Sequence, residues 1–246
     1  MRLAHPLSYL ALIFGLLSLA ANAAECSASS GDFNKPLLEL YTSEGCSSCP
    51  PADQWLSGLK DTDKVVPLAF HVDYWDYIGW QDRFAKPAFT ARQKRAAALN
   101  GSTFVYTPQV ILNGRDYRDW RQNPSLESAG YRYHQPADGR LGLDVVSDRL
   151  KVTAQTRDRE ADVYIAIYEN GLKSKVNAGE NSGRELKHDY VVREWYGPYL
   201  LQGAHEWQRT LELKSSWKSR DGGAAAFIQN RRSGEVLQAL NLKFCS

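Results

Sequence analysis

Cys46-Ser47-Ser48-Cys49 is the group of residues in this chain whose type and spacing point most directly to chemistry. A thiolate is the nucleophile in disulfide exchange, and a second thiol one turn further on can attack a mixed disulfide and release the partner. Leu37-Leu38-Glu39-Leu40-Tyr41 reads as a strand that leads through Thr42-Ser43-Glu44-Gly45 into the first cysteine, and a helix follows the second. A helix start offers unpaired N–H groups and the positive end of the macrodipole, both of which favour a thiolate. That placement assigns Cys46 as the exposed attacking thiol and Cys49 as the buried resolving thiol. The same pair also suits a purely structural bridge or half of a zinc site. For zinc a second ligand pair is missing, and His71, His134, His188 and His205 are scattered, with no H-x-x-x-H among them. No metal ligand set and no cofactor are expected.

Thr107-Pro108 stands directly before Val110-Ile111-Leu112 and the hairpin signal Asn113-Gly114. In a fold built around a C-x-x-C helix, a cis proline there sets the backbone against the active sulfurs and offers main-chain groups to an extended peptide. Asp73-Tyr74-Trp75-Asp76-Tyr77-Ile78-Gly79-Trp80 leaves the end of the strand 65–72, the edge where open α/β sheets place their sites. His71, Asp73 and Asp76 are candidate proton carriers there. Tyr74, Trp75, Tyr77 and Trp80 are candidates for lining a substrate groove, with core packing the competing role for the aromatics and for the strand histidine.

The remaining cysteines sit at the two ends, Cys26 and Cys245. A bridge between them closes a loop of about 220 residues, worth roughly 5 kcal/mol by chain entropy and about 2–4 kcal/mol by the usual measured yield. Disulfides persist outside the cytosol, and the first residues fit export: Arg2, the apolar run 10–19, and Ala21-Asn22-Ala23 as a cleavage site. That run is too short to span a bilayer, so no membrane span is expected after signal cleavage. With Arg2 removed, 29 basic and 28 acidic side chains remain, a net of +1. So even a balance, with no basic run, leaves no footprint for nucleic acid or anionic membrane.

The elements that must position these residues fall into two patterns. Up to residue 136, apolar strands alternate with helices: 51–60 with Trp55, Leu56 and Leu59 on one stripe, 87–100 opening with a proline, and a last helix begun by Asn123-Pro124. After the turn-rich Gln135-Pro136-Ala137-Asp138-Gly139 the period becomes two. Leu141, Leu143 and Val145 alternate with polar residues, as do Leu150, Val152 and Ala154, then Val163, Ile165 and Ile167, and further strands are expected at 190–196, 209–213, 225–229 and 236–243. The organisation expected is a leader at 1–23, an α/β domain at 24–136 and an immunoglobulin-like all-β sandwich at 139–246. In the second unit Trp195, Trp207 and Trp217 read as packing residues, and Lys187-His188-Asp189 as a hydrated loop.

Strand, C-x-x-C, αβ units and Thr107-Pro108 together resemble the thioredoxin superfamily. More narrowly, residues 39–53, Phe70-His71-Val72-Asp73-Tyr74-Trp75-Asp76-Tyr77, Val105-Tyr106-Thr107-Pro108-Gln109 and Gly179-Glu180-Asn181-Ser182-Gly183-Arg184 resemble the secreted family called domain of unknown function 1223. The resemblance implies an α/β thioredoxin-like fold followed by the sandwich, with Cys46, Cys49 and Pro108 as catalytic residues. The substrate-binding candidates beside them are Thr107, Trp75 and His71. It also makes a bacterial periplasm the expected compartment. Pro50-Pro51 directly after Cys49 departs from the superfamily pattern and sets the regular helix to begin near Pro50, leaving Cys46 on a turn. The leading expectation is an exported thiol–disulfide oxidoreductase acting on thiols or disulfides of another protein, with a redox partner protein. The alternatives are a copper-binding or copper-delivery protein, disfavoured because Met1 is the sole methionine, and a redox-inert adaptor.

Overall fold

The computed structural model describes residues 25–59, 63–122, 135–203, 206–214 and 221–245. The expected leader, the helix begun by Asn123-Pro124, and His134, His205 and Trp217 lie outside the described residues. β1 (Glu25–Ser29) precedes β2 (Leu37–Thr42), whose six residues are all buried. A turn then enters α1 (Pro50–Ser57), where the Pro50-Pro51 pair occupies the first turn that prolines tolerate. β3 (Val66–His71) runs parallel to β2, and a 3₁₀ turn at Asp76–Ile78 leads to α2 (Pro87–Leu99). β4 (Gln109–Leu112) pairs antiparallel with β2 and turns into β5 (Arg115–Asp116). At that turn Asn113 and Gly114 have φ of 51° and 84°. A Cβ on Gly114 would also lie 1.9 Å from the Gly234 carbonyl oxygen, so glycine is required both by dihedral and by close approach. A second 3₁₀ turn, Arg118–Arg121, follows.

The rest of the described chain is β-structure: β6 (Arg140–Val146), β7 (Arg149–Gln155), β8 (Ala161–Glu169), β9 (Leu172–Lys175), β10 (Glu185–His188), β11 (Val191–Leu200), β12 (Trp207–Glu212), β13 (Gly222–Asn230) and β14 (Val236–Lys243). β1, β6, β7 and β12 form an antiparallel sheet in that order, and β9 and β10 form a hairpin. The third sheet has eight strands in the order β14-β13-β8-β11-β3-β2-β4-β5. Two described α-helices, of 8 and 13 residues, accompany these strands. None is long and apolar enough to cross a membrane.

The expected fold class, an α/β thioredoxin-like unit followed by a separate sandwich, is therefore corrected: the protein is mostly β, built on large multi-strand sheets. The physical reason is the seam between β3 and β11, a parallel pairing of Val191 with Ala69 that makes one sheet out of strands from both parts of the chain. β8 shows how two cores share that sheet. Val163, Ile165 and Ile167 face the four-stranded sheet, with Leu143, Val152 and Ile228, while Tyr164, Ala166 and Tyr168 face the other core, with Phe70, Phe89 and Phe227. The period-two alternation is present, but both faces are buried.

Arg92 of α2 fastens the second core across that seam. Its guanidinium donates from Nε and Nη2 to the two carboxylate oxygens of Glu39, at 2.5 and 2.7 Å, and Tyr41 donates to the same carboxylate at 2.8 Å. The same guanidinium carbon lies 4.7 to 5.0 Å from the ring centroids of Trp195, Phe227 and Tyr164. Carboxylate and rings come from strands far apart in sequence, so the pair fixes their relative placement. Cys26 and Cys245 are also joined, with Cα atoms 5.8 Å apart. Because β1 belongs to the four-stranded sheet, this disulfide ties that sheet to the chain just beyond β14 at the edge of the eight-stranded one.

Arg92→Met, which strands the Glu39 carboxylate in the core, is expected to lower the unfolding free energy by about 3–5 kcal/mol in urea melts. The double variant Glu39→Leu/Arg92→Met is expected to recover much of that loss. A single-variant loss under about 1 kcal/mol would show that the pair does not set this core.

Candidate functional site

Cys46 and Cys49 lie where the parallel strand β2 ends and α1 begins, and they are joined as a disulfide with Cα atoms 5.4 Å apart. Cys49 is the N-cap of α1, and the N–H groups of Ala52 and Asp53 donate to its carbonyl. Cys46 sits on the preceding turn, as the proline pair requires. Its expected exposure is corrected: both cysteines have zero accessible surface, while Ser47 and Ser48 between them are exposed. The Ser48 hydroxyl lies 3.4 Å from the Cys46 sulfur.

The turn is held by residues 179–184 of the 176–184 connection between β9 and β10. Fully buried Asn181 donates from Nδ2 to the carbonyls of Glu44 and Cys46, at 2.9 and 3.0 Å, and its own Oδ1 accepts from Arg184 at 2.7 Å. The Ser47 N–H donates to the Glu180 carboxylate at 3.0 Å, and the Ser47 hydroxyl together with that N–H draws the carboxyl below its ordinary pKa. Trp75 wedges in from the other flank. Its Cβ would be 3.1 Å from a Cβ on Gly45, and its indole N–H donates to the Thr107 hydroxyl at 2.7 Å. Thr107-Pro108 is cis, as is Gly197-Pro198, for which the sequence raised no expectation. Cys46, Cys49, Trp75, Thr107 and Pro108 are thus brought to one region.

His71 is not available to a substrate. It is fully buried at the end of β3, with Nδ1 2.7 Å from Asp82 and its ring edge-on to Phe84 and His188. His188 and Asp189, expected in a hydrated loop, are also buried. The cause is β10, whose hairpin lies along α1 and drives His188 beneath the site. There the His188 ring nitrogens lie 3.5 Å from Glu44 and 3.9 Å from Asp53. Asp73 and Asp76 are absorbed by their loop, where they accept bonds from the Thr90 hydroxyl and the Asp82 N–H. Trp80 donates to Glu44 at 2.7 Å, and Tyr77 points out of any groove at 82% exposure.

The carboxyls of this layer differ in their protonation. Burial pushes Asp53 up to about 7, against the pull of His188 and the Thr42 hydroxyl. Burial acts on Asp82 as well, but His71 and the N–H groups of Glu44 and Phe84 outweigh it and hold that carboxyl low. Glu44 also ends below its ordinary value, since contacts with His188 and Trp80 overcome its burial. Asp53 lies four residues after Cys49, on the same face of α1. A recess of about 300 Å³ lined by Pro50, Asp53, Gln54 and Leu186 opens beside it. The sequence signal for Asp53 was an acid in the first turn of a helix, which by itself indicates only a favourable macrodipole contact. Among the described residues no three His, Cys, Asp or Glu side chains are grouped to hold a metal ion, which gives the copper reading no further ligands.

Comparison with known proteins places this geometry. The family model described as "Protein of unknown function (DUF1223)" matches residues 37–229, which include both cysteines of the C-x-x-C, the cis proline and the 179–184 segment. A crystal structure of protein AGR_C_4864 from Agrobacterium tumefaciens is 28% identical, with a TM-score of 0.61 over 87% of this chain and 96% of that one. HBP35 of Porphyromonas gingivalis aligns with a TM-score of 0.62 over 87% of this chain and 76% of that one; at 13% identity the likeness is one of fold. No curated protein matches the chain.

Asn181→Ala removes both bonds that pin the Cys46 turn. With each bond contributing about 1 kcal/mol, opening of the Cys46–Cys49 disulfide by dithiothreitol is expected to accelerate about tenfold or more. An unchanged opening rate, followed by thiol counting in the folded protein, would show that the 179–184 segment does not control access.

Proposed function

The chain belongs to the family described as protein of unknown function DUF1223, and from that premise we propose that it is an exported thiol–disulfide oxidoreductase that acts on cysteines of another protein through Cys46 and Cys49. The observation that carries this reading is the Cys46–Cys49 disulfide at the strand-to-helix turn, with a buried carboxyl one helical turn behind Cys49. The two disulfides fit an oxidising compartment outside the cytosol, and a bacterial periplasm is the one proposed.

In a mixed disulfide between Cys46 and a partner sulfur, the Cys49 thiol gives its proton to the Asp53 carboxylate. The Cys49 thiolate then attacks the Cys46 sulfur, the bond to the partner breaks, and the partner leaves as a thiolate that takes a proton. The partner sulfur is reduced and the Cys46–Cys49 disulfide is re-formed; the reverse sequence delivers that disulfide to a partner dithiol. Asp53 suits both directions because its pKa lies near the operating pH. His188, Thr42, Asp82 and Glu44 act on its charge, and the recess beside α1 offers the proton a way to water.

Two outcomes test this. A Cys49→Ala variant expressed in an exporting cell is expected to accumulate partners disulfide-linked to Cys46, and a Cys46→Ala variant none; no adduct with either variant would remove the redox reading. Exchange at a fixed thiolate concentration of the partner is expected to rise with pH through about 7 and level off above it, since Asp53 is a base only when ionised. Asp53→Asn is expected to flatten that limb and slow resolution by about 100-fold or more. A pH profile identical in the variant would remove Asp53 from the step.

A further inference from the structure

Beside the C-x-x-C lies an open cleft of about 430 Å³, lined by Ser48, Phe104, Thr107, Pro108 and Trp120 together with Arg118 and Arg121. It is not the aromatic groove at 73–80 that the sequence suggested, and its composition is different. Phe104 is 62% exposed, an unusual state for a large apolar side chain, while Trp120 is buried at its base and packs at a tilt against Trp55. The Arg121 guanidinium lies 4.7 Å from the Trp120 ring centroid and reaches to 3.5 Å from the Ser48 carbonyl. Among the described residues it has no acidic side chain within ion-pair distance. Arg118, three residues earlier on the same 3₁₀ turn, is 65% exposed and bonds to Asp116 at 2.8 Å. Both side chains line the cleft, which therefore carries two guanidinium groups beside its apolar wall.

We propose that this cleft holds an extended polypeptide segment of the partner protein, with a carboxylate side chain close to the cysteine presented to Cys46. Arg121 pairs with that carboxylate and Arg118 reinforces the field. Trp120 holds the Arg121 plane in place, and Phe104 takes an apolar neighbour of the reactive cysteine. Charge complementarity at short range selects the carboxylate. A planar guanidinium fixed on an indole is preorganised for a carboxylate, and the chain as a whole is near neutral, so the preference is local to the cleft. The inference rests on the exchange reading above for the identity of the residue at Cys46, and it adds what recognises the sequence around that residue.

The test separates the two. Fluorescent peptides with serine in place of cysteine, identical except for Glu, Gln or Lys beside that serine, are titrated by anisotropy against the oxidised full chain. The acidic peptide is expected to bind about tenfold more tightly than its Gln twin, and the Lys peptide most weakly, with the preference shrinking as salt is added. Arg121→Gln is expected to abolish the preference and Arg118→Gln to weaken it. Equal affinities for the three peptides, a preference that survives in both variants, or oxidised glutathione binding as tightly as the acidic peptide would overturn the proposal. Exchange with neutral hydroxyethyl disulfide is followed in parallel. Exchange that persists while no acidic preference is found sinks this inference alone. An acidic preference without exchange at any substrate upholds the cleft and sinks the redox reading.

Discussion

The parallel contact between β3 and β11 is the constraint on which the rest of the structure depends, and the Arg92–Glu39 pair is its lock. A single register pair at the seam would be a weak joint. It is reinforced because Arg92 draws Glu39 of β2 and rings from β8, β11 and β13 around one buried guanidinium. Ion pairs of this kind need not add net stability compared with an apolar replacement of both partners, since desolvation offsets the attraction. What the pair supplies is position: the Glu39 carboxylate and the rings of Tyr164, Trp195 and Phe227 meet at one guanidinium.

The same joining brings the functional parts together. β11 beside β3 sets the β9–β10 hairpin against α1, and the hairpin in turn delivers Asn181 and Glu180 to the Cys46 turn and His188 to the layer beneath it. The C-x-x-C is therefore gripped by residues more than 130 positions away in sequence. Beside it lies an open cleft with two arginines; beneath it lies a buried layer of carboxyls and imidazoles. Burial governs the lower layer, where the balance of paired and unpaired carboxyls leaves Asp53 as the one with a pKa near neutrality. Exposure governs the cleft, where guanidinium groups keep their charge and their reach.

What was legible in the sequence was local. Period-two strands at 141–154 and 163–167, the Asn113-Gly114 hairpin and the proline-led helix at 87–99 depend on dihedral preference and on which face is apolar, and both are written in adjacent residues. The cysteine pairs were legible for a similar reason, since few partners were available. The fold class was not, because the seam is long-range: Val191 carries no mark that its neighbour is Ala69, and β8 looks like a half-exposed strand until both its faces are covered. The site was misread where burial decides. His71 and His188 read as solvent-facing or ambiguous, and Cys46 as exposed, because nothing in their neighbours announces a hairpin arriving from the far end of the chain. Asn181 and Asp53 were quoted only as parts of a family resemblance, since a lone amide and an acid in a first turn have ordinary local explanations.

The central claim is that Cys46–Cys49 is a working disulfide and Cys26–Cys245 a structural one. The most direct measurement is a count of free thiols by mass spectrometry in the folded protein equilibrated across thiol–disulfide buffers of stepwise potential. The account predicts that Cys46–Cys49 opens and re-forms reversibly while Cys26–Cys245 stays closed, with the fold intact throughout. Opening of both pairs together, or of Cys46–Cys49 only when the protein unfolds, would contradict it.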